Sequence, residues 1–343
     1  MIKVRHSLWF LVLGLVPAGA EPAFAPTHGF DLSRADIVTF VDEVTSRNSL
    51  DRKAVLALLA KAEPQPKIIE RVTKPAERVL QWWEYRERFV NEKRIADGVQ
   101  FWNEHRLALE KIATDRGVAA EYIVAILGAE TNYGRVTGRD RVLDALMTLA
   151  FDYPPRQDYF RAELEQFLLL AREEKIDPLT VLGSYTGAMG APQFMPSNYR
   201  RYAVDANTDR KRNLWTDWDD VFASVANYFD AFGWVSGGPV IATAVLDPDP
   251  TFQFDPRNLE LNETLDSLNL KGVRAEVAAP PATPAVLVSA EEQDGPAYRV
   301  GFQNFYVITR YNRSARYAMA VSDLAQAIVQ RVHGALPQST PPQ

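Results

Sequence analysis

The chain has 343 residues, 47% hydrophobic and 24% charged, with a formal net charge of −6 and no cysteine. That is ordinary for a soluble globular protein with room for two or three domains, and its acidic balance gives no support for nucleic-acid binding. The missing cysteines exclude disulfides, thiolate metal sites, cysteine nucleophiles and a cysteine-borne lipid anchor, and the scattered His6, His28, His105 and His333 form no HExxH-type pair.

The N-terminus reads as an address. Lys3 and Arg5 precede the apolar run Leu8–Val16, and Ala18-Gly19-Ala20 offers small residues before a cut, so 1–20 is expected to be a cleaved signal peptide. A second small-residue triplet, Ala23-Phe24-Ala25, is disfavoured by Pro26. A membrane span would need roughly 20 apolar residues, and this run falls well short. The mature protein is expected in the periplasm, neither lipidated nor anchored in the membrane.

Helical signals follow from Asp31. Ser33 is placed to cap a helix whose Ile37, Phe40, Val41 and Val44 share one face. Asp51 opens another, with Val55, Leu56, Leu58 and Leu59 apolar and Pro64 and Pro66 as its stop. Further helices are expected over Val99–Ile112, Ala119–Thr131, Arg141–Leu149, Tyr159–Glu174 and Val221–Phe232. After Gly237-Gly238-Pro239 the composition changes. Val240–Val245, Leu268–Val273, Ala285–Ser289 and Ala297–Gly301 read as short strands separated by turn-rich segments. The chain then returns to helix at Ala318–Val332 and ends in a polar, proline-rich tail, 336–343, expected to be disordered.

Within the helical part, the run Ile123–Ala129 leads without a charge into Glu130, and Gly134 closes the segment. Ile126 and Leu127 lie one turn earlier on the same helix face. A carboxyl group beside such residues is partly desolvated, which raises its pKa and suits an acid that holds a proton near neutral pH. Taken alone, the same pattern also describes a helix whose last polar residue reaches solvent. Its companions carry the distinction. Gly183–Gly190 holds three glycines, which let backbone approach a ligand closely, and runs into Ala191–Pro196, where Gln193 sits between two prolines. Aromatic residues follow the pattern of a carbohydrate cleft, with Tyr85 after Trp82-Trp83, then Tyr228, Phe305-Tyr306 and Tyr311.

The stretches ILGAETNYGRVTGRDRVLDALMTLAFDYPPR, GSYTGAMGAPQFMPSNYRRYAVD, SVANYFDAFGW and FQNFYVITRYN strongly resemble the lytic murein transglycosylase B family, over about Phe40 to Ala335. The resemblance implies a mainly α protein: an α domain (31–98), a lysozyme-like catalytic core (99–236), a small inserted antiparallel β domain (237–303) and a return to the core (304–335). It implies cleavage of the MurNAc–GlcNAc β-1,4 bond of peptidoglycan without net addition of water. Glu130 matches the catalytic acid, Ser184 and Gln193 match polar cleft residues, and Tyr85, Tyr228, Tyr306 and Tyr311 match positions near the bound sugars. The expected partners are peptidoglycan glycan strands and other cell-wall enzymes, and the protein itself is expected to be a monomer that requires no cofactor.

Ordinary glycosidases use two carboxyl groups. The next acids along the chain, Asp140 and Asp144, lie beyond the end of the helix bearing Glu130, and their spacing does not place them opposite it. A single Glu130 serving as acid and then base is therefore expected. The competing readings are a lysozyme-type muramidase, which calls for a second carboxylate, and a non-catalytic wall-binding protein.

A second motif points to a cation. Asp205, Asn207 and Asp209, with Lys211 and the later Asp219 or Asp220, resemble a calcium loop with oxygen ligands at positions 1, 3 and 5. Arg210 replaces the glycine expected at position 6, and Arg210-Lys211-Arg212 adds three positive charges. A structural calcium ion on Asp205, Asn207, Asp209, Lys211 and Asp220 and a metal-free polar turn both remain open at this level.

Overall fold

The computed structural model describes residues 29–74, 80–252, 255 and 257–334. The expected signal peptide and terminal tail lie outside the described residues.

Helices dominate. Around a central helix, Ala120–Thr131, the chain wraps Glu92–Glu104, Arg106–Arg116, Trp218–Ala231 and the long Ala315–Gly334. The central helix has no polar face from Tyr122 to Gly128, because neighbours bury it on every side. Beside it, Val142–Asp152 pairs with Gln157–Glu174, and this pair joins the N-terminal helices Ala35–Asn48, Arg52–Leu59 and Pro66–Thr73 to the same apolar core.

Caps explain several boundaries. Asp51 accepts from the Ala54 amide and starts its helix as expected. Ser33 does not cap the first helix: it bonds Asp31 instead, and Arg34 stands at the N-cap. Pro66, expected to stop a helix, opens one, since its missing N–H costs nothing at the first helical position. The stretch Val99–Ile112 forms parts of two helices broken at His105, whose ring packs 4.7 Å from Phe101 and 5.2 Å from Trp218. Gln303–Tyr311 is a helix that the strand-rich pattern before it concealed.

The β elements fall between 241 and 301. A five-stranded antiparallel sheet runs in the order Glu263–Thr264, Pro284–Ser289, Tyr298–Gly301, Ile241–Leu246 and Val273–Ala275. Three of the expected strands lie within a residue of their positions, but Leu268–Val273 does not form one. A reciprocal cap between Thr264 and Ser267 turns Leu265–Leu270 into a helix, and the strand starts only after Gly272. Leu265, Leu268, Val273, Leu287 and Val300 give this sheet its own small core.

One part-buried carboxylate ties the parts together. Asp323, on the last helix, takes Arg299 of the sheet at 2.6 Å and Arg86 of the helix Trp82–Phe89 at 2.6 Å. Among the described residues no helix is long and apolar enough to cross a membrane.

A short ladder pairs Asp140–Arg141 with Leu182–Gly183 and fixes the glycine-rich segment beside the central helix. Gly138 makes the approach that this ladder needs. Its φ is +105°, and a Cβ there would stand 1.9 Å from the Gly183 carbonyl oxygen. Gly138→Ala is therefore expected to destabilise the protein by about 3 kcal/mol or more, read as a lowered urea midpoint. An unchanged midpoint would contradict this packing.

Candidate active site

Glu130 stands in the last turn of the central helix. Three consecutive left-handed residues, Asn132, Tyr133 and Gly134, terminate that helix immediately afterwards. The Tyr133 amide bonds back to Leu127 at 2.9 Å, and the Tyr133 hydroxyl donates to the Arg94 carbonyl at 2.8 Å. Arg94 in turn donates to the Gly128 carbonyl. Thr131 bonds across to Ala191 at 2.8 Å. The turn that carries Glu130 is thus held from both sides, and its carboxyl group has little freedom to drift.

The side chain of Glu130 as a whole is partly exposed, but its carboxyl end lies among protein atoms, and that end governs its ionisation. Burial pushes its pKa up to about 7, against a smaller opposing pull from the Tyr317 hydroxyl. That hydroxyl donates to Glu130 Oε1 at 2.5 Å. Tyr317 itself is 3% exposed. Tyr85 and Tyr311 complete the surround: burial and then the Glu130 charge raise the pKa of both phenols. Burial, followed by Glu130, raises that of Tyr317 as well. The three phenols therefore stay neutral, and of them Tyr317 donates a hydrogen bond to the carboxyl group.

Among the described residues no second carboxylate contributes to the ionisation of Glu130. Asp140 pairs with Arg71 at 3.3 Å, and Asp144 is buried between Arg141 and the Glu63 amide.

The remaining candidate residues mostly hold backbone. Tyr311 donates to the Pro192 carbonyl at 2.8 Å, which draws the Gln193 turn toward the tyrosine cluster. Gln193 itself is left-handed, with its amide nitrogen on the Thr137 and Gly190 carbonyls. Tyr228 packs 4.8 Å from Tyr311 and donates to the Arg310 carbonyl, so it supports Tyr311 from behind. Ser184 accepts from the Ala188 and Thr186 amides and sets the shape of the glycine-rich turn. Tyr306 is placed differently. It lies under Arg310, about 140° around the helix from Tyr311.

The loop from Asp205 keeps the alternating pattern of an ion cradle but spends its oxygens internally. Asp205 accepts from the Asp209 and Arg210 amides, Asn207 from Asp209, and Asp209 from Lys211. Asp220, not the exposed Asp219, closes the loop by accepting from the Ala206 and Asn213 amides. The Asn207 amide group is turned onto Asp217 at 2.7 Å. Among the described residues no three histidine or acidic side chains converge as a metal site. Asp205, Asn207, Asp209 and Asp220 of this expected cation loop thus each accept from backbone amides of the loop itself, while Lys211 supplies one of those amides.

A family model described as the transglycosylase SLT domain matches residues 33–326. The chain belongs to the lytic transglycosylase family. Membrane-bound lytic murein transglycosylase B of Escherichia coli is 40% identical over 298 residues, 84% of this chain and 81% of the relative. The catenated lytic transglycosylase SltB1 of Pseudomonas aeruginosa superposes with a TM-score of 0.84 at 45% identity, covering 87% of this chain and 98% of that one. An Escherichia coli lytic transglycosylase solved in complex with calcium gives 0.81 at 37% identity, covering 92% and 100%. The mainly α, lysozyme-like architecture with its small β part is the family's.

In this transglycosylase the structure brings together Glu130, Tyr85 and Tyr311, which the sequence singled out, with Tyr317, which the sequence did not and which bonds Glu130 directly. The helix was expected to begin at Ala318. Ser314 extends it by a turn, accepting from the Tyr317 and Ala318 amides, and that turn aims Tyr317 at Glu130. A serine three residues before the tyrosine was the available signal.

Because the Tyr317 hydrogen bond favours the carboxylate, removing it raises the Glu130 pKa further. Tyr317→Phe is expected to move the alkaline limb of the pH–rate profile upward and to lower kcat about tenfold or more through lost positioning. A profile that stays in place, or moves down, would contradict the assignment.

Proposed function

We propose that this lytic transglycosylase cleaves the MurNAc–GlcNAc β-1,4 bond of peptidoglycan with Glu130 as the sole proton carrier. The observation that supports this most is a carboxyl group whose ionisation responds to burial and Tyr317 but to no other acid. At neutral pH a pKa of about 7 keeps roughly half of the molecules protonated, against about one in three hundred for an unperturbed glutamate.

Protonated Glu130 gives its proton to the glycosidic oxygen as the muramyl C1–O bond breaks, and the GlcNAc O4 hydroxyl leaves. The carboxylate so formed takes the proton of the muramyl C6 hydroxyl, whose oxygen bonds to C1. The product is a 1,6-anhydromuramyl end, no water is consumed, and Glu130 is protonated again. Positive charge at C1 is shared by the substrate's own N-acetyl group. The neutral phenols of Tyr85, Tyr311 and Tyr317 suit this cycle, since a fixed cation beside Glu130 would pull its pKa back down. A hydrolytic muramidase would need a second carboxylate opposite, and Asp140 and Asp144 are both engaged elsewhere.

The basic–apolar–small pattern of residues 1–20 supports export to the periplasm, where the chain would meet its glycan strands. We also propose that the Asp205–Asp220 loop needs no metal. Although one relative was solved with calcium, Asp205 and Asp220 here already serve backbone amides. Calcium titrated into chelator-treated protein is expected to give no saturable heat and no shift in melting temperature. Stoichiometric binding would contradict this.

Mass spectrometry of products from purified sacculi tests the reaction. Anhydromuramyl ends are expected from the native enzyme, and reducing ends would overturn the reading. Glu130→Gln should retain strand binding and lose cleavage by at least about a thousandfold. Substantial residual turnover would contradict a sole carboxylate.

A further inference from the structure

Arg94 stands in the first turn of the helix Glu92–Glu104, where its amide donates to the Asn91 side chain at 3.0 Å. Its guanidinium reaches inward. Nε is buried without a partner, and the group makes no ion pair with a described residue. A half-buried cation in that situation costs stability unless its other N–H groups are used. The proton cycle of Glu130 does not itself call for such a group.

Two contacts use the rest of the guanidinium. Nη1 donates to the Gly128 carbonyl, two residues before Glu130. That carbonyl lies in the last turn of the central helix, where acceptors are short of partners and a cation is favoured. The guanidinium carbon also lies 5.8 Å from the ring centre of Phe89. Phe89 packs 5.1 Å from Tyr85, which stands one turn earlier on the helix Trp82–Phe89. Tyr85 is in turn a phenol whose pKa is raised by burial and then by the Glu130 charge. One side chain therefore touches both the peptide that leads into Glu130 and the ring stack that carries Tyr85. Gly98 lets the helices approach this closely. A Cβ there would stand 2.5 Å from the Tyr133 hydroxyl, the group that donates to the Arg94 carbonyl.

We infer that Arg94 is a positioning residue for the transglycosylase reaction: its guanidinium couples the Glu130 turn to the Phe89–Tyr85 stack and so sets the spacing of acid and phenol. The inference rests on the reading of Glu130 as the proton carrier. The coupling is mechanical rather than electrostatic. Burial and the Tyr317 hydroxyl govern the Glu130 carboxyl, and among the described residues no cation contributes. Spacing at this level matters because a displacement of about 1 Å at a reacting group costs on the order of a hundredfold in rate.

The test measures turnover of soluble glycan strands by Arg94→Met, which keeps the length of the side chain but loses its donor and charge. Its kcat is expected to fall about tenfold or more with KM unchanged and the alkaline limb of the pH–rate profile left in place. Arg94→Lys keeps a donor and a cation and should recover part of the loss. A cycle with Tyr85→Phe reads the coupling itself. Removing the phenol hydroxyl should cost about threefold less in the Arg94→Met background than in the native one, because that ring is already displaced. Phe89→Leu breaks the link from the other side without touching the Gly128 bond, so it carries the same cycle if Arg94→Met fails to fold. A kcat within about twofold of native in Arg94→Met and Phe89→Leu, or full additivity with Tyr85→Phe, would overturn the inference. So would a limb that moves as it does for Tyr317→Phe, since Arg94 would then act through its charge. Substantial turnover by Glu130→Gln would instead overturn the reading of Glu130 itself, and the two failures are thereby distinct.

Discussion

Burial of the Glu130 carboxyl group at the end of an apolar helix is the constraint on which the rest of this structure depends. Isolated, a glutamate at a helix end would turn to water and ionise. Here the helix before it is buried on all sides, three left-handed residues stop the chain directly after it, and Arg94 and Tyr133 clamp the final turn. The carboxyl is left facing phenols rather than solvent. This arrangement has a cost: an acid whose native pKa is raised binds its proton more tightly folded than unfolded, so stability falls as pH climbs from about 4.5 toward about 7. The protein accepts that loss at the place where a retained proton is useful.

The three phenols come from distant parts of the chain, and most of the long-range architecture serves to bring them together. Tyr85 comes from a short helix that Asp323 binds through Arg86. Tyr311 and Tyr317 flank the turn between the last two helices, and the Tyr311 hydroxyl links that turn to Pro192 beside Gln193. The same Asp323 holds Arg299 of the sheet. One part-buried carboxylate on the final helix therefore links the tyrosines' scaffold and the β insertion.

Much of the fold was legible in the sequence because it followed local rules. The Asp51 cap, the apolar periodicity of the central helix and the Val, Ile and Thr content of the strands are each decided within a few residues. The errors arose where a distant contact or a reciprocal cap decided the outcome. His105 breaks a continuous helical pattern by packing on Trp218, and Thr264 with Ser267 makes a helix where side-chain content favoured a strand. Glu130 could be found because its whole approach is apolar. Tyr317 could not, since its role appears only when the last helix is laid against the first turn after Leu127. The Asp205 loop shows the reverse case. Its spacing resembles a cation loop, but the spacing does not reveal that the Asp205 and Asp220 carboxylates also accept from the loop's own backbone amides.

The central claim concerns one proton, and it can be observed directly. Carbon-13 labelling of glutamate side chains, with Glu130→Gln to assign the resonance, gives the titration of the Glu130 carboxyl in the folded protein. The account predicts a midpoint near 7, set apart from the other glutamates. A midpoint near the ordinary 4.5 would contradict it, because Glu130 would then be ionised at neutral pH and unable to act as the acid.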